Sequence, residues 1–148
     1  MIPGMATVRR ELRFHHPAAE VWAAIGDATA IHEWFPGIEA STVEGTTRTV
    51  TTGSGVRLVE EVVTNDPVLR RFQYRIAPGL LRDHLGTVDV IDLGDGTCLG
   101  VYSTDASPDV MALVLGGACG AALHELRRQL DEGERGTGAH HLDDGSAA

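Results

Sequence analysis

The sequence predicts an α+β fold, a seven-stranded curved antiparallel sheet wrapped around a long C-terminal helix, with two short helices between strands 1 and 2. Three observations carry it. Six strand-like runs lie between residues 38 and 105, punctuated by Gly, Asp and Pro at the close spacing of hairpins. A long apolar stretch follows, from Pro108 and Asp109 to Leu130. One alternating run and two short helical segments precede both.

The elements follow in order. In residues 6–14, Val8, Arg10, Leu12 and Phe14 share one face, as in a strand. Pro17 suits the first turn of a helix over 18–25, with Val21, Trp22 and Ile25 on one stripe and Gly26 closing it. Asp27 is placed as N-cap of a second short helix carrying Ile31, Trp34 and Phe35, which Pro36-Gly37 ends. Strands are expected at 38–44, 46–52, 56–65, 69–77, 84–93 and 97–105. The final helix has Val110, Val114, Ala118, Ala122 and Leu126 at four-residue spacing, a stripe that needs burial.

Length predicts one domain over residues 1–132, and the Gly-rich polar stretch 133–148 reads as a disordered tail. There, His140, His141, Asp143 and Asp144 read as solvated side chains rather than metal ligands. Twenty-one acidic residues against 12 Lys and Arg argue against nucleic-acid binding and against a polybasic membrane surface. No uninterrupted run of 18 apolar residues and no signal-peptide pattern are found, and a cytoplasmic protein is expected. Cys98 and Cys119 are too few for a disulfide scaffold and lack zinc-ligand spacing. Strand parity puts Cys98, Gly100 and Tyr102 on the face away from the helix, so no bridge to Cys119 is expected. Only 5 % of residues are aromatic, a composition that leaves room for a cavity.

Several words of the sequence, taken in order, resemble the START/Bet v 1-like (SRPBCC) superfamily, also described as polyketide cyclase/dehydrase and lipid transport. They are Ala19-Glu20-Val21-Trp22-Ala23-Ala24-Ile25-Gly26-Asp27, Trp34-Phe35-Pro36-Gly37-Ile38, Arg48-Thr49-Val50, Glu60-Glu61-Val62, Tyr74-Arg75-Ile76, Gly94-Asp95-Gly96-Thr97 and Ala122-Leu123-His124-Glu125-Leu126. Within it the similarity is greatest to bacterial relatives of the abscisic-acid receptors. The resemblance implies the helix-grip fold, with a hollow between sheet and long helix that receives a small hydrophobic molecule. Departures argue against hormone recognition: Val101, His84 and Ala122 stand where relatives often carry tryptophan, tyrosine and a polar residue, and the gate-loop position reads Gly53-Ser54-Gly55-Val56. That loop lies between strands, so it is no phosphate loop.

Parity alone does not decide which face of strand 56–65 is internal, since its apolar count is even. The resemblance turns Glu60 inward with Leu58 and Val62. It likewise turns inward Arg48, Val50 and Thr52, then Phe72, Tyr74 and Ile76, then His84, Gly86, Val88 and Val90. Leu99, Val101 and Ser103 are expected to complete the wall, with Val114, Ala118 and Ala122 opposite on the helix. A buried Glu60 needs a partner, and Arg48 is the obvious one, either as a structural ion pair or as a ligand contact. His84 could exchange protons or simply bond backbone. His15, His16, His32 and His124 read as surface residues. Gly116-Gly117-Ala118-Cys119-Gly120 is open to three readings: close helix–sheet packing, ligand space or partner contact.

The function expected is binding of a lipid, polyketide or isoprenoid-like molecule as carrier or sensor, in a monomer or homodimer with no cofactor and no metal. The alternatives are a polyketide cyclase, aromatase or dehydratase, and a chaperone-activator-like interaction protein.

Overall fold

The computed structural model describes residues 4–79 and 81–135; most of the expected tail, with its His and Asp residues, lies outside the described residues. The chain runs β1 (Ala6–Phe14), α1 (Ala18–Ile25), a 3₁₀ turn (Ala28–Ala30), α2 (Ile31–Trp34), β2 (Ile38–Glu44), β3 (Thr47–Thr52), β4 (Arg57–Asp66), β5 (Arg71–Ile76), β6 (Asp83–Asp92), β7 (Cys98–Ser107) and α3 (Asp109–Asp131). The seven strands form one antiparallel sheet in the order β1-β7-β6-β5-β4-β3-β2. It is the helix-grip fold, with α3 packed chiefly along β1 and β7.

Local chemistry sets the short elements. Asp27 caps the 3₁₀ turn, its side chain accepting from the Thr29 amide at 3.0 Å. Gly45, at φ +62°, turns the β2–β3 hairpin in a conformation that disfavours side chains. Phe14, Val21, Ile25, Ile31, Trp34, Phe72, Tyr102, Leu123 and Leu126 build the main core. Full burial of each large apolar side chain contributes roughly 1.5–3 kcal/mol.

Two expected faces are corrected. The buried residues of α3 are Ala112, Gly116, Cys119, Ala122, Leu123, Leu126, Gln129 and Leu130, which include only Ala122 and Leu126 of the expected stripe. Steps of four residues drift about 40° each around a helix, so the expected stripe winds off the core. Its first members, Val110 and Val114, are 56 % and 60 % exposed. In β7 the inner face is Cys98, Gly100, Tyr102, Thr104 and Ala106, opposite to the assignment by parity. Register with β6 fixes it, because Tyr102 pairs with the buried Val88 and Gly100 with Val90. Leu99, Val101 and Ser103 therefore lie on the outer face. Cys98 and Cys119 are both buried on the helix side, and both are free thiols.

The glycines of α3 divide by direction. Gly116 faces Val8, whose branched side chain would clash with a Cβ, and Gly120 lies on the Arg10 side chain. These two serve close packing on β1. Gly117 points the other way, where a Cβ meets nothing within 4 Å. After α3, Gly133, Glu134 and Arg135 stay close: the Glu134 amide donates to the Gln129 carbonyl at 2.9 Å, and Arg135 donates to Gln129 Oε1 at 3.0 Å.

Candidate functional site

Because α3 packs on β1 and β7, its N-terminal half stands clear of β3, β4 and β5. The space between is a hollow of about 210 Å³. The sheet contributes Val50, Thr52, Leu58, Glu60, Tyr74, Ile76, His84 and Thr104. Leu115, Ala118 and Cys119 face them from α3, and Phe35–Ile38 closes the remaining side.

Of the residues expected to contact ligand, Val50, Leu58, Glu60, Tyr74, Ile76, His84 and Ala118 line this hollow. Arg48, Val62, Phe72, Val88 and Ala122 sit in or against the packed core instead. Val101, on the outer sheet face, and Val114, on the exposed side of α3, are directed away from it. Sequence reasoning missed Thr104 and Cys119 because β7 and α3 were turned to the wrong face. It missed Phe35–Ile38 because the turn from α2 into β2 carries no periodicity. The Asp105 and Ser103 side chains, on one parity of β7, were the available signal that the other parity is internal.

Arg48 and Glu60 pair across β3 and β4, which places both on the inner face. Arg48 Nε donates to Glu60 Oε1 at 2.7 Å, and Arg48 is only 2 % exposed. The guanidinium lies 5.2 Å from the Phe72 ring centre and 5.0 Å from that of Tyr74, a cation–π sandwich. Its Nη2 and the Trp34 indole N–H find no acceptor among the described residues, and both border a void of about 10 Å³, the size of one water. Burial raises the Glu60 pKa, and the neighbouring Arg48 opposes that rise. The second Glu60 oxygen has no protein partner among the described residues. Arg48 thus anchors Glu60 from behind, while Glu60 itself meets the hollow.

His84 stands where β5 and β6 part. Their pairing ends at Tyr74 and Gly86. Beyond it the Ile76 amide donates to His84 Nδ1 at 3.0 Å. Accepting there fixes the neutral tautomer with its proton on Nε2. Burial lowers the His84 pKa to about 4, with Asp105 working weakly the other way, so the ring is neutral at pH 7. His84 Nε2 has no partner among the described residues and is a donor for whatever occupies the hollow.

Tyr74 and Tyr102 join hydroxyls at 2.5 Å. Burial holds both phenols well above their usual pKa. Burial also raises the Cys119 thiol, whose sulfur contacts the Thr104 hydroxyl at 3.4 Å. It is a packing thiol rather than a thiolate nucleophile. Among the described residues no three His, Cys, Asp or Glu side chains converge as a metal needs.

Gly86 makes room for Tyr74: a Cβ there would lie 2.6 Å from its ring carbons. Gly86→Ala is expected to cost about 1–3 kcal/mol by over-packing, and to displace the ring from Arg48. A urea melt gives the cost, and loss of the Tyr74 contribution to near-ultraviolet circular dichroism reports the displacement.

Known structures share this architecture. XoxI from Bacillus cereus superposes with TM-score 0.81 at 20 % identity, covering 88 % of this chain and 99 % of its own. A protein from Thermobifida fusca gives 0.73 at 28 %, covering 85 % and 93 %. Norcoclaurine synthase from Thalictrum flavum, solved with dopamine and hydroxybenzaldehyde, gives 0.69 at 16 %, covering 86 % and 87 %. A search of curated protein sequences finds no match. The family model for polyketide cyclase / dehydrase and lipid transport matches residues 5–131, the whole of the sheet and α3. The chain belongs to that family, and its fold is the Bet v 1-like helix grip of norcoclaurine synthase.

Proposed function

We propose that the protein binds a small hydrophobic molecule in the hollow between sheet and α3, as a carrier or sensor. The observation that supports this most is the hollow itself, about 210 Å³ with mostly apolar walls and a few polar groups among them. A cavity of about 150 Å³ holds a benzene ring, and drug-sized ligands occupy about 300 Å³ or more. The volume therefore suits a one- or two-ring molecule or a short isoprenoid. Apolar burial supplies affinity at about 25 cal/mol per Å². Glu60 offers an acceptor and neutral His84 a donor, a pair suited to orienting a hydroxyl or carbonyl group.

A second reading rests on the same two groups. A carboxyl with raised pKa and a neutral imidazole facing one hollow resemble the acid–base pairs of proton-transfer enzymes. In that case His84→Ala abolishes turnover while binding survives.

Ala118→Phe tests the binding reading. A phenyl ring placed in open space is expected to abolish binding of an apolar probe dye and to leave the denaturant midpoint nearly unchanged. A loss of about 1–3 kcal/mol with dye binding intact would show the region to be solid core and overturn the proposal.

A further inference from the structure

The solvent side of α3 is apolar for over three turns. From Val110 to Leu123 the helix has no charged side chain and no polar one beyond the Cys119 thiol. By length and composition it would pass for a membrane span, yet its inner face packs on β1 and β7. Its outer face is Val110, Leu113, Val114, Gly117 and Ala121, all exposed. At 100° per residue these five lie within about 60° of one line. Leu113 is 66 % exposed, the most of the three large residues. Such a face on a soluble domain marks an interaction surface.

We propose that this face is the interface of a homodimer, in which two α3 helices pair antiparallel with Gly117 on the two-fold axis. Two features select a second copy in this orientation. The first is size. The large residues Val110, Leu113 and Val114 occupy the N-terminal half of the stripe, and the small residues Gly117 and Ala121 occupy the C-terminal half. Antiparallel pairing about Gly117 sets Leu113 against Ala121 of the partner subunit, large on small. Parallel pairing would set Leu113 on Leu113 of the partner subunit and leave a gap at the small residues. A Cβ at Gly117 meets nothing in its own chain, so the partner helix can approach closely there.

The second feature is charge. Asp109 lies in the first turn of α3, and Arg127, near the other end, makes no ion pair among the described residues. The same two-fold brings Asp109 beside Arg127 of the partner subunit, on one flank of the helix pair, and repeats the contact on the symmetric side. An anionic bilayer is the poorer occupant, because the chain has a formal charge of −9 and no basic residue on the stripe before His124. Since Leu115 and Ala118 on the same helix line the hollow, the dimer would also steady one wall of that cavity.

Sedimentation equilibrium of the full chain is expected to give twice the 15.7 kDa chain mass at micromolar to submillimolar concentration. Leu113→Asp is expected to weaken the dimer at least ~tenfold while the monomer keeps its fold and far-ultraviolet circular dichroism, because within its own chain the side chain is exposed. Under mild oxidation Gly117→Cys should cross-link to itself. Ala121→Cys should not, but should cross-link when mixed with Leu113→Cys. A monomer throughout that range overturns the proposal. So does a dimer insensitive to Leu113→Asp, or self-cross-linking of Ala121→Cys, which signifies parallel pairing. Flotation with phosphatidylcholine vesicles by a monomeric protein would identify a membrane as the occupant and overturn it equally.

Discussion

Arg48→Ala is expected to destabilise the fold by about 3–5 kcal/mol, because it leaves the Glu60 carboxylate buried without its partner. It also removes the cation that stacks between Phe72 and Tyr74. Arg48→Ala combined with Glu60→Ala is expected to cost less than the sum of the two single changes. The loss depends on pH with a definite sign. Burial already raises the Glu60 pKa above 4.5 in the folded chain, and deleting Arg48 removes what opposes that rise. The folded variant then holds its proton more tightly than the unfolded chain, so it gains relative stability in acid and loses it as pH rises above 4.5. Because His84 titrates alike in both proteins, the stability difference between wild type and the variant isolates Glu60, and paired denaturant melts from pH 4 to pH 7 are expected to show it widening with rising pH. A difference that does not change with pH would mean that Glu60 in the variant has found another cation or water.

His84 produces the opposite slope in the wild-type protein. Its folded pKa is about 4 against an ordinary 6.5, so the folded state binds this proton less tightly than the unfolded chain. The associated stability is full above pH 6.5 and is lost as pH falls toward 4. The shift corresponds to about 3 kcal/mol over that interval. Protonation also requires Nδ1 to stop accepting from the Ile76 amide, which unlatches the ends of β5 and β6. His84→Gln retains an acceptor without a titrating ring. Its urea midpoint is expected to lack the decline between pH 6.5 and pH 4 seen in wild type. Equal declines in both would mean that the ring is hydrated and titrates normally.

Much of this arrangement was legible in the sequence, and the illegible parts have physical causes. Gly45, Pro78-Gly79 and Gly94-Asp95-Gly96 mark turns by backbone preference, so the hairpins and their antiparallel sense followed directly, while the pairing of β1 with β7 carries no local signal. The Arg48–Glu60 pair followed from the face assignment on β3 and β4, which the family resemblance supplied. In β7 that guide failed: it is a central strand with side chains covered on both faces, and the alternation of Leu99 and Val101 against Cys98 and Tyr102 gives no clear inside. On α3 the apolar residues surround the helix from Val110 to Leu123, so hydrophobicity could not set its rotation. The stripe of Ala112, Gly116 and Cys119 became visible only once β1 supplied Val8 and Arg10 as packing partners. Pro36-Gly37 was read as a helix stop between Phe35 and the strand beginning at Ile38, and the place of this turn beside the hollow depends on β2 pairing with β3.

The most direct test of a ligand-binding hollow is methyl-labelled NMR with a small two-ring aromatic probe titrated into the full chain. Saturable shifts are predicted at Val50, Leu58, Leu115 and Ala118, which line the hollow. Val63 on the outer sheet face and Val114 on the outer side of α3 should remain unchanged. Shifts confined to Val63 or Val114, or no saturable shift at the lining methyls, would contradict a binding role for the space between sheet and helix.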